Sequence, residues 1–172
     1  TIHMIGALMI VAILLVLNAL VEKAKHEKLA YTPLFRNLSV LALVFTLVQI
    51  GLGTQVRETV DTLQQAGLPR SEWMDNMNLS FYIHRSFSIL ILGLNLWLWR
   101  MNKNLGLGYW QWHYIMLVLG FEIAAGIILA YFDLPYFAQP LHLLLGAILF
   151  ALQGQMLIHL ILNADRRVIP IK

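Results

Sequence analysis

The sequence predicts an all-α transmembrane fold, and three observations lead there. Hydrophobic residues make up 59% of the chain and charged ones only 12%, with a mean hydropathy of +0.71, more apolar surface than a soluble domain can cover. The apolar residues gather in five runs, each near the roughly 20 residues that a helix needs to cross a bilayer. Those runs lack the period-two alternation of a membrane barrel. Helices are then left as the way to satisfy backbone N–H and C=O groups in lipid.

The first run, Ile2 to Leu20, is too long and too weakly flanked for a secretory leader and is expected to be a spanning helix. The chain opens at Thr1 rather than Met, which suggests a fragment or a processed chain. The other runs are Leu38 to Gly53, Leu79 to Trp99, Trp110 to Tyr131 and Leu141 to Leu162, each expected to be one helix. Between the second and third lies the one long loop, Thr54 to Asn78. There Val60, Leu63, Ala66 and Leu68 suggest a short helix lying along the surface, broken by Pro69.

Charge sets the expected orientation. Lys23, Lys25, Lys28 and Arg36 in the first connection, Arg100 and Lys103 in the third, and Arg166, Arg167 and Lys172 in the tail mark the cytoplasmic side. The second connection mixes Arg57 and Arg70 with Glu58, Asp61, Glu72 and Asp75, and the fourth has only Asp133, so both belong outside. Trp97, Trp99, Tyr109, Trp110 and Trp112 fall at the inner ends of helices three and four, as an anchoring aromatic belt would. The net charge of +3 has this topological use. No basic stripe with interleaved aromatics points to nucleic acid, and membrane lipid is the expected surrounding. The chain contains no cysteine, so disulfides and thiolate metal sites are excluded.

A faint repeat runs through the chain. The start of helix one, Ile2-His3-Met4-Ile5-Gly6-Ala7, resembles the start of helix five, Leu141-His142 through Gly146-Ala147. Gln49-Ile50-Gly51-Leu52-Gly53 in helix two echoes Glu122-Ile123-Ala124-Ala125-Gly126 in helix four. A repeating unit of four spans returns the chain to the same side, so such repeats would be parallel.

Chemistry concentrates on histidine. His84 and His142 fall a few residues into helices three and five from the outer end, so at 1.5 Å rise both lie within ~10 Å of that boundary. Two imidazoles at one depth across a four-helix bundle suit the two axial positions of haem iron. Zinc or copper would want further ligands, and no Cys, Asp or Glu lies beside either His in sequence to supply them. Interhelical hydrogen bonding is the plain structural alternative. Arg85, next to His84, either pairs with haem propionates or reaches to the lipid headgroups.

His3 shares that depth on helix one and could ligate a second haem only with a ligand from outside this chain. His113 and His159, near the inner boundary, form a rival pair, though Trp110-Gln111-Trp112-His113-Tyr114 reads better as interfacial belt. His26 sits in a Lys-rich loop and is expected to be solvated. Glu122, the acid near mid-membrane, should face protein as a hydrogen-bond partner rather than as a proton relay, since Gln49 stands at its repeat-equivalent position.

These residues resemble the haem A synthases, assembly enzymes of cytochrome oxidase. The likeness rests on Gln49-Ile50-Gly51-Leu52-Gly53-Thr54-Gln55-Val56-Arg57-Glu58, on His84-Arg85 opening helix three, and on Pro140-Leu141-His142 opening helix five. It covers nearly the whole chain. The resemblance implies an eight-helix enzyme in two four-helix halves. This chain would supply five spans: residues 1–36 as the last helix of the N-terminal half with a cytoplasmic linker, and residues 37–172 as a C-terminal four-helix haem B domain.

It implies that His84 and His142 ligate a haem B that serves in electron transfer, with Arg85 and Arg57 as further cofactor-binding residues. His3 would match the second ligand of the site for haem O, the substrate whose C8 methyl the full enzyme oxidises to the formyl of haem A. Partners implied are a missing N-terminal half, without which this chain would be inactive, an electron donor such as quinol, and a further copy in a homo-oligomer. The location implied is the bacterial cytoplasmic or mitochondrial inner membrane. Two departures stand out: the cysteine pairs that some members carry are absent, and the family's first-half loop glutamate is not in this chain. The residues alone also fit a bis-His cytochrome b anchor carrying electrons from quinol, or a transporter or scaffold without haem.

Overall fold

A computed structural model describes residues 2–22, 30–132 and 135–162. Lys23, Lys25, His26, Lys28, Asp133, Arg166, Arg167 and Lys172 lie outside them. The described residues form five helices long and apolar enough to cross a membrane: α1 (Ile2–Glu22), α2 (Pro33–Gln65), α3 (Leu79–Asn104), α4 (Gln111–Tyr131) and α5 (Ala138–Leu162). The protein is an all-α, multi-pass integral membrane protein.

Helices α2 to α5 close a bundle in which α2 packs on α3, α3 on α4, α4 on α5 and α5 back on α2, with α1 outside against α5. Helices α3 and α5 are therefore diagonal partners. The bundle is wrapped by apolar side chains that remain exposed, among them Val44, Ile89, Leu117, Phe121 and Leu144, as lipid contact requires. Its centre holds Phe35, Leu98, Ile115, Met156 and Leu160, all essentially inaccessible. On the α1 face, Gly154 approaches so closely that a Cβ there would meet Leu15 Cδ1 at 3.2 Å.

Helix α2 departs most from expectation. It starts at Pro33, where Thr32 caps the helix by accepting from Phe35 N at 3.1 Å and proline suits the first turn. It then runs unbroken for 33 residues, absorbing the short surface helix expected around Val60 to Ala66. The reason is packing: Val60 is buried against Trp73 and Met77 of the following connection, with Leu63 beside them, so the amphipathic stretch has a protein surface to cover. Gly67, at φ 75°, turns the chain out of the helix. Two 3₁₀ turns, Arg70–Glu72 and Met74–Asn76, fold the remainder back. Arg70 latches this cap to the α4–α5 connection, its guanidinium 3.6 Å above the Tyr136 ring.

At the opposite end the aromatic belt holds only in part. Trp97 and Trp110 are about half exposed, at 50% and 53%, but Tyr109 and Trp112 are fully buried, packed on Phe35. The Asn102 side chain folds them inward. Its amide donates to Tyr109 O and accepts from Tyr109 N, both at 3.0 Å, pinning the α3–α4 turn against the bundle.

Candidate functional site

His84 projects from the first turns of α3 and His142 from those of α5, and the structure brings them together across the bundle diagonal. Their ring centroids are 6.3 Å apart with planes at 81°. Two imidazoles bonded at about 2 Å on opposite sides of one metal put their ring centroids roughly this far apart. Both side chains are partly buried.

Each imidazole lies over a glycine of a neighbouring helix. A Cβ on Gly53 of α2 would stand 3.2 Å from His84 Cε1, and one on Gly126 of α4 would stand 3.4 Å from His142 Cε1. Four residues before each glycine, one turn earlier on the same helix face, stands the residue that touches the same histidine. Gln49 donates through Nε2 to the His84 carbonyl at 3.0 Å. On the other side, His142 Nδ1 donates to the Glu122 carbonyl at 3.2 Å, and the Glu122 carboxylate also lies 3.2 Å from that nitrogen. The helix two to helix four part of the repeat seen in sequence is thus a structural one: Gln49, Gly53 and His84 on one side, Glu122, Gly126 and His142 on the other. Glu122 faces protein, as expected.

The donor set suits a macrocycle better than a bare ion. Among the described residues no three or more His, Cys, Asp or Glu side chains gather in a way that could hold a metal ion. Two nitrogens do suffice where a tetrapyrrole supplies the other ligands. With Nδ1 of His142 engaged as a donor, Nε2 is left as its free nitrogen. His84 Nδ1 is buried without a hydrogen bond of normal geometry, the Gln49 backbone being its looser contact.

The remaining expected residues fall as follows. Arg85 is exposed, and its guanidinium has no hydrogen bond or ion pair among the described residues, so it is available to an anionic group at this end. Arg57 is tied down, bonding Gln139 at the start of α5 and pairing with Asp61 at 2.9 Å. His3 is exposed on α1 and is not brought to the His84–His142 pair. Of the rival pair, His113 is exposed and sits at 3.3 Å from Trp110 O, whereas His159 Nδ1 bonds Gln111 Nε2 at 2.7 Å.

Sequence reasoning missed two features. One is the role of Gly53 and Gly126 as floors for the rings; their shared spacing from Gln49 and Glu122 was the available signal. The other is a buried amide pair below the histidines, Gln153 donating to Asn95 at 2.9 Å.

A membrane-embedded helical bundle with paired histidines across its diagonal defines the class: a multi-pass protein built around a two-imidazole site. Comparison with known families narrows it, since the profile of the COX15-CtaA cytochrome oxidase assembly proteins matches residues 1–153. The chain belongs to this family of haem A synthases and to the machinery of cytochrome oxidase assembly. Searches of curated proteins and of solved structures gave no match.

Proposed function

We propose that this chain is the electron-transfer portion of a haem A synthase, holding haem B between His84 and His142. The observation that carries the reading is the 6.3 Å separation of the two rings across the bundle diagonal, supported by the glycine beneath each ring and by the family match. The haem would supply reversible one-electron chemistry. His84 and His142 would hold it through both imidazoles, which would suit outer-sphere transfer rather than binding of a gas or substrate. Arg85 offers a cation to the propionates. Arg57 braces α2 against α5 through Gln139.

In the same reading the full enzyme oxidises the C8 methyl of haem O to the formyl of haem A. Residues 1–36 then belong to the substrate-binding half, and His3 contributes a ligand opposite a residue outside this chain. An absorption spectrum with a pyridine haemochrome assay on the purified chain tests the central claim. One low-spin haem B per chain is expected; protein that binds no haem when supplied with it, or binds it only in a high-spin form, overturns the reading.

A further inference from the structure

The two histidines are held differently, and the difference lies in one acid. Glu122 Oε2 stands 3.2 Å from His142 Nδ1, within ion-pair range, and is buried with no hydrogen bond of its own among the described residues, the Nδ1 hydrogen going to the Glu122 carbonyl. Its Oε1 occupies a notch in α5: a Cβ on Gly146, one turn beyond His142, would meet it at 3.3 Å. The carboxylate is therefore seated between the imidazole and a helix that lacks a side chain where the oxygen sits. On the other side Gln49 stands in the equivalent place, and its amide nitrogen turns to the His84 carbonyl instead.

We propose that Glu122 is a positioning residue for His142. Its backbone carbonyl takes the Nδ1 hydrogen and fixes the tautomer that leaves Nε2 free, while its carboxylate, 3.2 Å from the same nitrogen, makes His142 the stronger electron donor of the two imidazoles. A carboxylate partner raises the basicity of a ligating histidine more than a neutral carbonyl does. A more basic axial ligand favours the oxidised iron, which lowers the reduction potential. A carboxylate within the membrane is costly unless it is engaged, and this pairing is the engagement that Glu122 has. The inference rests on the haem reading above.

The test compares the haem-loaded chain with its Glu122→Gln variant by potentiometric titration at fixed pH and by the low-spin electron paramagnetic resonance signal. Glu122→Gln is expected to keep one low-spin haem, to shift the midpoint positive by at least about threefold in reduced-to-oxidised ratio at a fixed poise, and to alter the low-spin g-values. Gly146→Ala, which displaces the carboxylate without removing it, should shift the midpoint the same way and serves if Glu122→Gln does not fold. Gly120→Ala, with open space around it, should not. Full haem content with an unchanged midpoint and spectrum in both Glu122→Gln and Gly146→Ala overturns the proposal and leaves the haem reading standing. Absence of low-spin haem from the unmutated chain overturns both.

Discussion

Asn95 and Gln153 repeat, eleven residues further along α3 and α5, the meeting of His84 and His142, and they close it with a 2.9 Å hydrogen bond. Eleven residues are three helical turns, ~16 Å, so each helix presents both of its residues on nearly the same face. The diagonal of the bundle is thus fixed at two depths, by rings at one end and by amides near the middle. Asn95→Leu or Gln153→Leu alone strands the other amide in an apolar core and should destabilise the chain by about 0.5–2 kcal/mol. The double substitution should recover most of that loss. A double-mutant cycle on unfolding in detergent checks this, and simple additivity of the two losses would show that the pair is not coupled.

His84→Ala and His142→Ala should each abolish the low-spin haem spectrum, since one imidazole cannot fill both axial positions. Optical spectra after haem loading decide the matter, and His3→Ala should leave them unchanged.

Gly53→Ala places a methyl 3.2 Å from His84 Cε1, whereas a Cβ at Gly51 meets nothing within 4 Å. Overpacking of this kind costs about 1–3 kcal/mol, so haem retention should fall roughly tenfold in Gly53→Ala. Gly51→Ala should retain haem normally. Competition for haem by apomyoglobin measures the ratio, and equal retention by the two variants would remove Gly53 from the site.

Asn102→Ala leaves both Tyr109 N and Tyr109 O without the bonds that now satisfy them. A loss of about 1–3 kcal/mol is expected, with Trp112 becoming accessible to a soluble fluorescence quencher. The site at the far end should keep its spectrum.

A cysteine at Gln64, exposed on the last turn of α2, should react with a membrane-impermeant maleimide added from outside. Labelling only after the membrane is opened would invert the topology drawn from the lysine and arginine count.

The five spans were legible because a run of about 20 apolar residues has few other uses. The end of α2 was not: Val60 and Leu63 give the same amphipathic spacing in a surface helix as in a continued one. What decides between them is Trp73, which lies beyond the turn. The histidine pair could be read from depth, since two residues near the same ends of two spans must share a level. The glycine floors and the Asn95–Gln153 bond depend on the rotation of one helix against another, which spacing along one chain does not set. Tyr109 and Trp112 were read as interfacial for a similar reason: aromatics at a span end look like anchors until a side chain such as Asn102 draws the turn inward.

The length of α2 bears on energetics as well as shape. At 1.5 Å per residue its 33 residues extend roughly 50 Å against about 30 Å of hydrocarbon. Gly53, twenty residues in from Pro33, stands near the level where the helix leaves the lipid, and His84 is beside it. Carrying one elementary charge through the whole bilayer is worth about 2.3 kcal/mol for each 100 mV of potential. An electron exchanged at this level with a donor on the same side would cross almost none of that drop, so its driving force would be indifferent to whether the membrane is energised. A donor on the opposite face would feel nearly all of it.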